Sequence, residues 1–323
     1  MLPAAISRNV LLSLITSLVI GLIAIIYAFF FPEFGPDSFS PTMAEGLQVY
    51  FQSHKMIGFL VVLFCIALTG LFWNSKMNDG EILIQEDFSQ LYNLTFICIL
   101  LYFICPVPVI FISILFYSLG VGRVFKLNKN TDTAFSISFD AGLFIGLATY
   151  FNLTSIFFLL FIWIGIMIIR SITPRDIIWS LLGLALPFLF MSGIDQLFGT
   201  NLVHFPNSII SGTSWGEFLN WKLLTFVGLG FFVLITGYFA LAQNVKRSSI
   251  RYKYSIQALN VFFLFTLLQG IVMAFANSWD HFLFALLFPI AFYWHCNSCG
   301  KDRYVFNNVL YLAWVVVIVL CIV

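Results

Sequence analysis

Hydrophobic positions in this chain come in long unbroken runs, and polar positions are confined to the connectors between them. The runs fall at about 10–31, 57–73, 89–105, 106–121, 138–151, 154–170, 177–198, 219–242, 257–276, 281–294 and 305–323. A helix needs roughly twenty apolar residues to cross the hydrocarbon core of a bilayer. The runs show none of the polar/apolar alternation of a membrane-barrel strand. The pattern predicts an all-α, polytopic transmembrane helical bundle of about eleven spans, built as one integral membrane domain over residues 1–323.

Two of the boundaries are marked by single residues. Pro106 and Pro108 divide an apolar stretch of about thirty residues, because proline lacks an amide donor and disfavours helix in the residue before it. Asn152 to Thr154 divide the stretch from Phe139 to Arg170 in the same way. Both sites are expected to be turns on the outer face. The run at 10–31 is too long for a signal-peptide core and has no small-residue cleavage site, so it reads as a retained first span.

Composition narrows the class. The chain has 323 residues, 61% hydrophobic and 9% charged, where a soluble domain carries about 25% charged residues. Its net charge of +1 leaves no electrostatic basis for nucleic-acid binding. The 40 Phe and 12 Tyr suit lipid-facing and packing positions. Cys296 and Cys299 form one CxxC beside His295, whereas a structural zinc site needs four ligands, so no metal centre is expected there. No phosphate-binding glycine loop is present.

The basic residues set a polarity. Threaded with the N-terminus in the cytoplasm, the chain places all its Lys and Arg residues inside except Lys55 and Lys222, as positive-inside anchoring requires. The expected location is the bacterial inner membrane. Two long connectors, about 32–56 and 199–218, then lie outside, and within the first a segment from about Ala44 to Gln52 reads as an interfacial helix.

Candidate chemistry follows from that threading. Glu33, Asp37 and Glu45 form an outer acidic set. A carboxylate there can act as general base on a hydroxyl, or hold a divalent cation that bridges a sugar phosphate; it is also what any water-facing loop carries. Asp195, His204, Glu217, Lys222, Asp280 and His281 gather near the same face, where ionisable groups close to hydrocarbon usually face a cavity or a partner. Asp280 is equally suited to capping the next span, and Asp140 to capping its own. His54 and Lys55 can meet a phosphate or headgroups. On the inner face Arg170 and Arg175 can fork onto a lipid phosphate or simply anchor the span ends.

The stretch FDAGLFIGLATYFNLTSIFFLLFIWIGIMIIRSITPRDIIWSLLGLALPFLF (139–190) resembles a family of polytopic membrane proteins from Bacteroidota whose activity is unassigned. The matching elements are Asp140 to Gly142, Gly146 to Ala148, Pro174-Arg175-Asp176, Gly183 and Pro187. More distantly, the pattern is similar to GT-C type glycosyltransferases that use polyprenyl-phosphate-linked sugars. Those enzymes carry their catalytic acid in the first extracytoplasmic loop, the location of Glu33 and Asp37. That connector lacks the adjacent acidic pair that many of them show, and Thr149 to Thr154 stand where a Lys often follows Gly-Leu-Ala. The resemblance implies a GT-C-like bundle acting at the periplasmic face in envelope glycan assembly. Its partners would be membrane lipid and a lipid-linked sugar, Glu33 and Asp37 its catalytic residues, with Asp195, His204, Glu217, Asp280, His281 and Arg175 around the substrate. The alternative is a non-enzymatic membrane component: a transporter or flippase of a lipid-linked intermediate, or a scaffold.

Overall fold

The computed structural model describes residues 45–79, 89–104, 107–126, 134–198, 221–245, 250–276, 282–298 and 313. The regular elements among these residues are all helical. They are α1 (Glu45–Ser53), α2 (Lys55–Asp79), α3 (Ser89–Ile104), α4 (Pro108–Lys126), α5 (Ala134–Phe151), a 3₁₀ turn (Leu153–Phe157), α6 (Phe158–Ile169), α7 (Pro174–Phe198), α8 (Trp221–Val245), α9 (Ile250–Ala276) and α10 (Phe282–Ser298).

Among the described residues, five helices are long and apolar enough to cross a membrane: Lys55–Ser75, Pro108–Phe125, Pro174–Phe198, Leu224–Ala242 and Tyr252–Ala274. Those covering Phe135–Phe151, Leu153–Ile169 and Phe282–Cys296 are apolar but shorter. Large hydrophobic side chains such as Leu60, Phe64, Met167, Leu189, Phe190, Phe231 and Phe239 stand outward, exposed. Water penalises apolar surface presented in that quantity, and lipid does not. This is the architecture of a multi-pass membrane protein. The expected runs at 10–31 and 305–323 lie outside the described residues, apart from Ala313.

Helix ends follow local chemistry. Helix α3 stops at Ile104 and α4 begins on Pro108, whose missing amide costs nothing in a first helical turn; the expected break between 89 and 121 is present. The second expected break is present too. Asn152 caps the 3₁₀ turn by accepting the Thr154 amide at 3.3 Å and the Thr154 hydroxyl at 2.9 Å. The segment expected as an interfacial helix is α1, joined to α2 through His54 alone. Here the His54 amide donates to the Tyr50 carbonyl at 2.9 Å while its ring stacks on Tyr50.

The largest fully buried side chains among the described residues are all aromatic. Phe262 of α9 touches the rings of Trp73, Tyr117, Phe158, Phe161 and Phe288, drawing α2, α4, α6 and α10 around it. Much of the phenylalanine content thus packs inside, besides the share that faces outward. Helices α2 and α3 are antiparallel: Phe59 meets Tyr102, while Gly70 further along lies against Leu91 and Thr95.

Helices α5 and α7 run parallel in close contact. A Cβ built on Gly142 would overlap the Ser180 carbonyl, one on Gly146 would lie 2.5 Å from the Leu184 oxygen, and one on Gly183 would overlap the Phe139 oxygen. Small residues at four-residue spacing let two helical backbones approach where lipid supplies no hydrophobic drive between them. Gly142, Gly146 and Gly183 of the 139–190 stretch are therefore packing residues.

Candidate functional site

At the start of α7 a carboxylate is fully buried among donors. Asp176 accepts from the Arg170 guanidinium at 2.5 Å, the Thr173 amide at 3.0 Å, the Thr173 hydroxyl at 2.8 Å and the Ser138 hydroxyl at 3.2 Å. The sequence Thr173-Pro174-Arg175-Asp176 explains the geometry. Proline occupies the first helical position, and the acid three residues after Thr173 reaches back to its amide, as in the return arm of a capping box. Asp176 also sits where the helix macrodipole favours negative charge. Arg170 is thus committed to an internal pair and is not the open phosphate fork that the sequence allowed. Arg175 is exposed, its guanidinium carbon 5.9 Å from the centre of the Phe135 ring.

The other expected site residues divide sharply. Glu33, Asp37, His204, Glu217, Lys222, Asp280 and His281 lie outside the residues whose side chains are described, as does the side chain of Glu45. Asp195 and Arg175 sit near opposite ends of α7. At 1.5 Å rise per residue that separates them by about 30 Å along the helix. Asp195 acts electrostatically on Tyr150 of α5, which packs with Leu47, Phe188 and Met191. Asp140 does not cap its span, contrary to the sequence expectation. It lies well inside α5 and pairs with Arg123 of α4 at 3.6 Å, because the helix begins at Ala134. His54 is exposed and stacked on Tyr50. Among the described residues no group of three or more His, Cys, Asp or Glu side chains can hold a metal.

A polar network that the sequence reading missed surrounds the 3₁₀ turn. Ser113 of α4 donates to the Ala148 carbonyl at 3.0 Å and shares a hydrogen bond with Ser155 at 2.9 Å. Gln269 of α9 donates to the hydroxyls of Thr154 and Ser155, each at 3.2 Å, and the Asn152 amide reaches the Met273 sulfur at 3.5 Å. The signal for it in the sequence is slight: Gln269 deep in an apolar run, and Ser113 within another.

A lateral groove of about 660 Å³ opens between α8 and α9, with α10 as its floor. Its walls include Ile235, Tyr238 and Phe239 of α8, and Phe263 and Leu264 of α9, with Pro289 and Tyr293 beneath. Glycines make it. A Cβ on Gly237 would lie 2.5 Å from the Tyr293 backbone oxygen, so α8 presses onto α10; Gly270 likewise lets α9 close on Ala285 further along α10. Both helices seat on α10 and leave a cleft between themselves. A polar pair lies within it: the Tyr293 hydroxyl donates to Asn260 Oδ1 at 3.1 Å. The groove's volume falls in the range of small-molecule sites, roughly 300–1,000 Å³.

No family model, no curated protein and no solved structure matches the chain.

Proposed function

We propose that this multi-pass membrane protein acts on a lipid, whose hydrocarbon chain lies in the groove between α8 and α9. The groove carries the reading. It is almost wholly apolar, it lies within two helices fit to cross a membrane, and its rim residues Tyr238, Phe239 and Leu264 are exposed. An opening at that depth faces hydrocarbon, and a flexible chain fills an irregular apolar cleft at low cost in solvation. The resemblance to GT-C type enzymes makes the finer form of the proposal a polyprenyl-phosphate-linked sugar at the periplasmic face of the inner membrane. There Glu33 or Asp37 takes the proton from an acceptor hydroxyl as its oxygen bonds to the sugar anomeric carbon. The bond from that carbon to phosphate breaks, and polyprenyl phosphate leaves. A divalent cation on the same carboxylates would carry the phosphate charge.

A second reading, a flippase of the same kind of lipid, is favoured by the broken helix at Asn152 and by Pro187 and Pro289 inside α7 and α10. Interrupted helices line many transport sites.

The test is photocrosslinking in vesicles that contain a polyprenyl phosphate with a diazirine on its chain. Label is expected in the peptides around Leu234–Phe239 and Asn260–Leu267, and Leu264→Trp should remove it with protein yield unchanged. Label spread evenly over every outward apolar face, α7 included, rejects the groove. Asp37→Asn then separates the two forms: lost sugar transfer with retained crosslinking supports the enzyme, and lipid movement without transfer supports the flippase.

A further inference from the structure

The face of α9 that lines the groove continues beyond it. Asn260, Leu264 and Leu267 are groove residues, and steps of three and four positions carry the same helical face back to Gln257 and Lys253. Helix α9 is continuous from Ile250 to Ala276, so the stripe is unbroken. Gln257 and Lys253 are exposed, so α8 does not cover this end. The stripe is graded in polarity. Leu267 and Leu264 are apolar, Asn260 and Gln257 polar and neutral, and Lys253 a cation about 10 Å along the helix from Asn260. In the opposite direction the same face stays apolar through Ile271 and Ala274.

We infer that the groove seats an anionic, phosphate-bearing lipid with its head at the α8–α9 connector end, Lys253 taking the phosphate. The inference rests on the reading that lipid fills the groove. An amphiphile made of a chain, a polar junction and an anion matches the gradient in one direction only. The Tyr293 hydroxyl occupies Asn260 Oδ1, which leaves the Asn260 Nδ2 donors for the oxygens at the junction. Lys253 has no carboxylate partner among the described residues, and α8, α9 and α10 contain no acidic residue. At the edge of hydrocarbon an ammonium attracts a phosphate more strongly than it does in water. The first turn of α9 adds the positive end of its macrodipole. Under the polarity that the basic residues set, this end is cytoplasmic, opposite the face at which Glu33 and Asp37 are expected. A lipid seated this way has to cross the bilayer before any transfer there, which favours the flippase form of the proposal.

The test uses the full chain in phosphatidylcholine vesicles and two photoprobes, farnesyl phosphate and uncharged farnesol. Each is prepared with a diazirine either beside the head or at the tail, and labelled peptides are read by mass spectrometry. In the wild type the head-side diazirine of farnesyl phosphate should label Gln257–Asn260, and the tail-side one Leu264–Leu267. Lys253→Glu should lower labelling by farnesyl phosphate about ten-fold, the worth of one charge-assisted bond, with farnesol labelling unchanged; Lys253→Arg should keep both. Groove labelling in the reverse order, or a Lys253→Glu protein that loses both probes equally or neither, overturns the inference and leaves the lipid reading standing. Absence of groove labelling by either probe in the wild type rejects the lipid reading, and this inference with it.

Discussion

Gly142 lies so close to the Ser180 carbonyl that a Cβ on it would overlap the oxygen. The same spacing recurs along the pair: Ser138 bonds Asp176, Gly146 faces Leu184 and Tyr150 packs with Phe188, each 38 residues apart as in the first of these pairs. A constant offset means two parallel helices in unbroken register. Gly142→Val and Gly146→Leu should each cost about 1–3 kcal/mol or more, since the neighbour is backbone and cannot rotate away. Gly193 and Gly228 have nothing within 4 Å, so alanine there should leave Tm unchanged or raise it slightly. Thermal melts in detergent compare the four; equal losses at all of them contradict the packing.

Breaking the Arg170–Asp176 pair from one side strands a buried charge. Arg170→Ala should destabilise by about 3–5 kcal/mol, while Arg170→Met with Asp176→Leu should recover most of that loss. The double variant will not recover all of it, because Asp176 also satisfies Thr173. A double variant as unstable as the single one would show that shape, and not charge, decides the site.

The network around the 3₁₀ turn predicts a graded series. Gln269→Leu leaves Thr154 and Ser155 without their donor and should cost about 1–3 kcal/mol. Ser113→Ala should cost less, because Ser155 keeps the Gln269 bond. A Gln269→Leu protein that melts with the wild type would mean the bonds carry no stability.

Orientation is tested by reporter fusions. A reporter placed after Lys253 should stay in the cytoplasm and one placed near Asn207 should be exported, since basic connectors resist translocation. Export of the first would reverse the polarity.

Helix identity was legible because apolar runs and prolines act locally: Pro108 and Asn152 mark their breaks by chemistry that needs no neighbour. Gly142 and Gly146 stood out in the sequence, but their role depends on which helix comes to rest against them. Asp140 reads as a cap from the sequence, yet Ala134 to Phe139, apolar but for two serines, carry its helix further back, and its partner Arg123 belongs to another helix. The groove was invisible, since Tyr293 and Asn260 are joined only by tertiary packing. Of the catalytic and substrate-binding residues expected from sequence, Arg175 and Asp195 alone fall where side chains are described, and the length of α7 keeps them apart.

The carboxylate of Asp176 finds three of its four partners within six residues of itself, with Ser138 the exception. Its charge can be neutralised while this stretch is still emerging, before any other helix is in place. Delivery of α7 into the bilayer therefore does not wait on assembly of the bundle. Ser138 and the glycines of α5 are met afterwards, when an already neutral helix end slides into register. An acid whose partners all lay on distant helices would have to enter lipid unpaired, at roughly 2.5–3.5 kcal/mol on insertion scales. Local pairing removes that barrier from biogenesis.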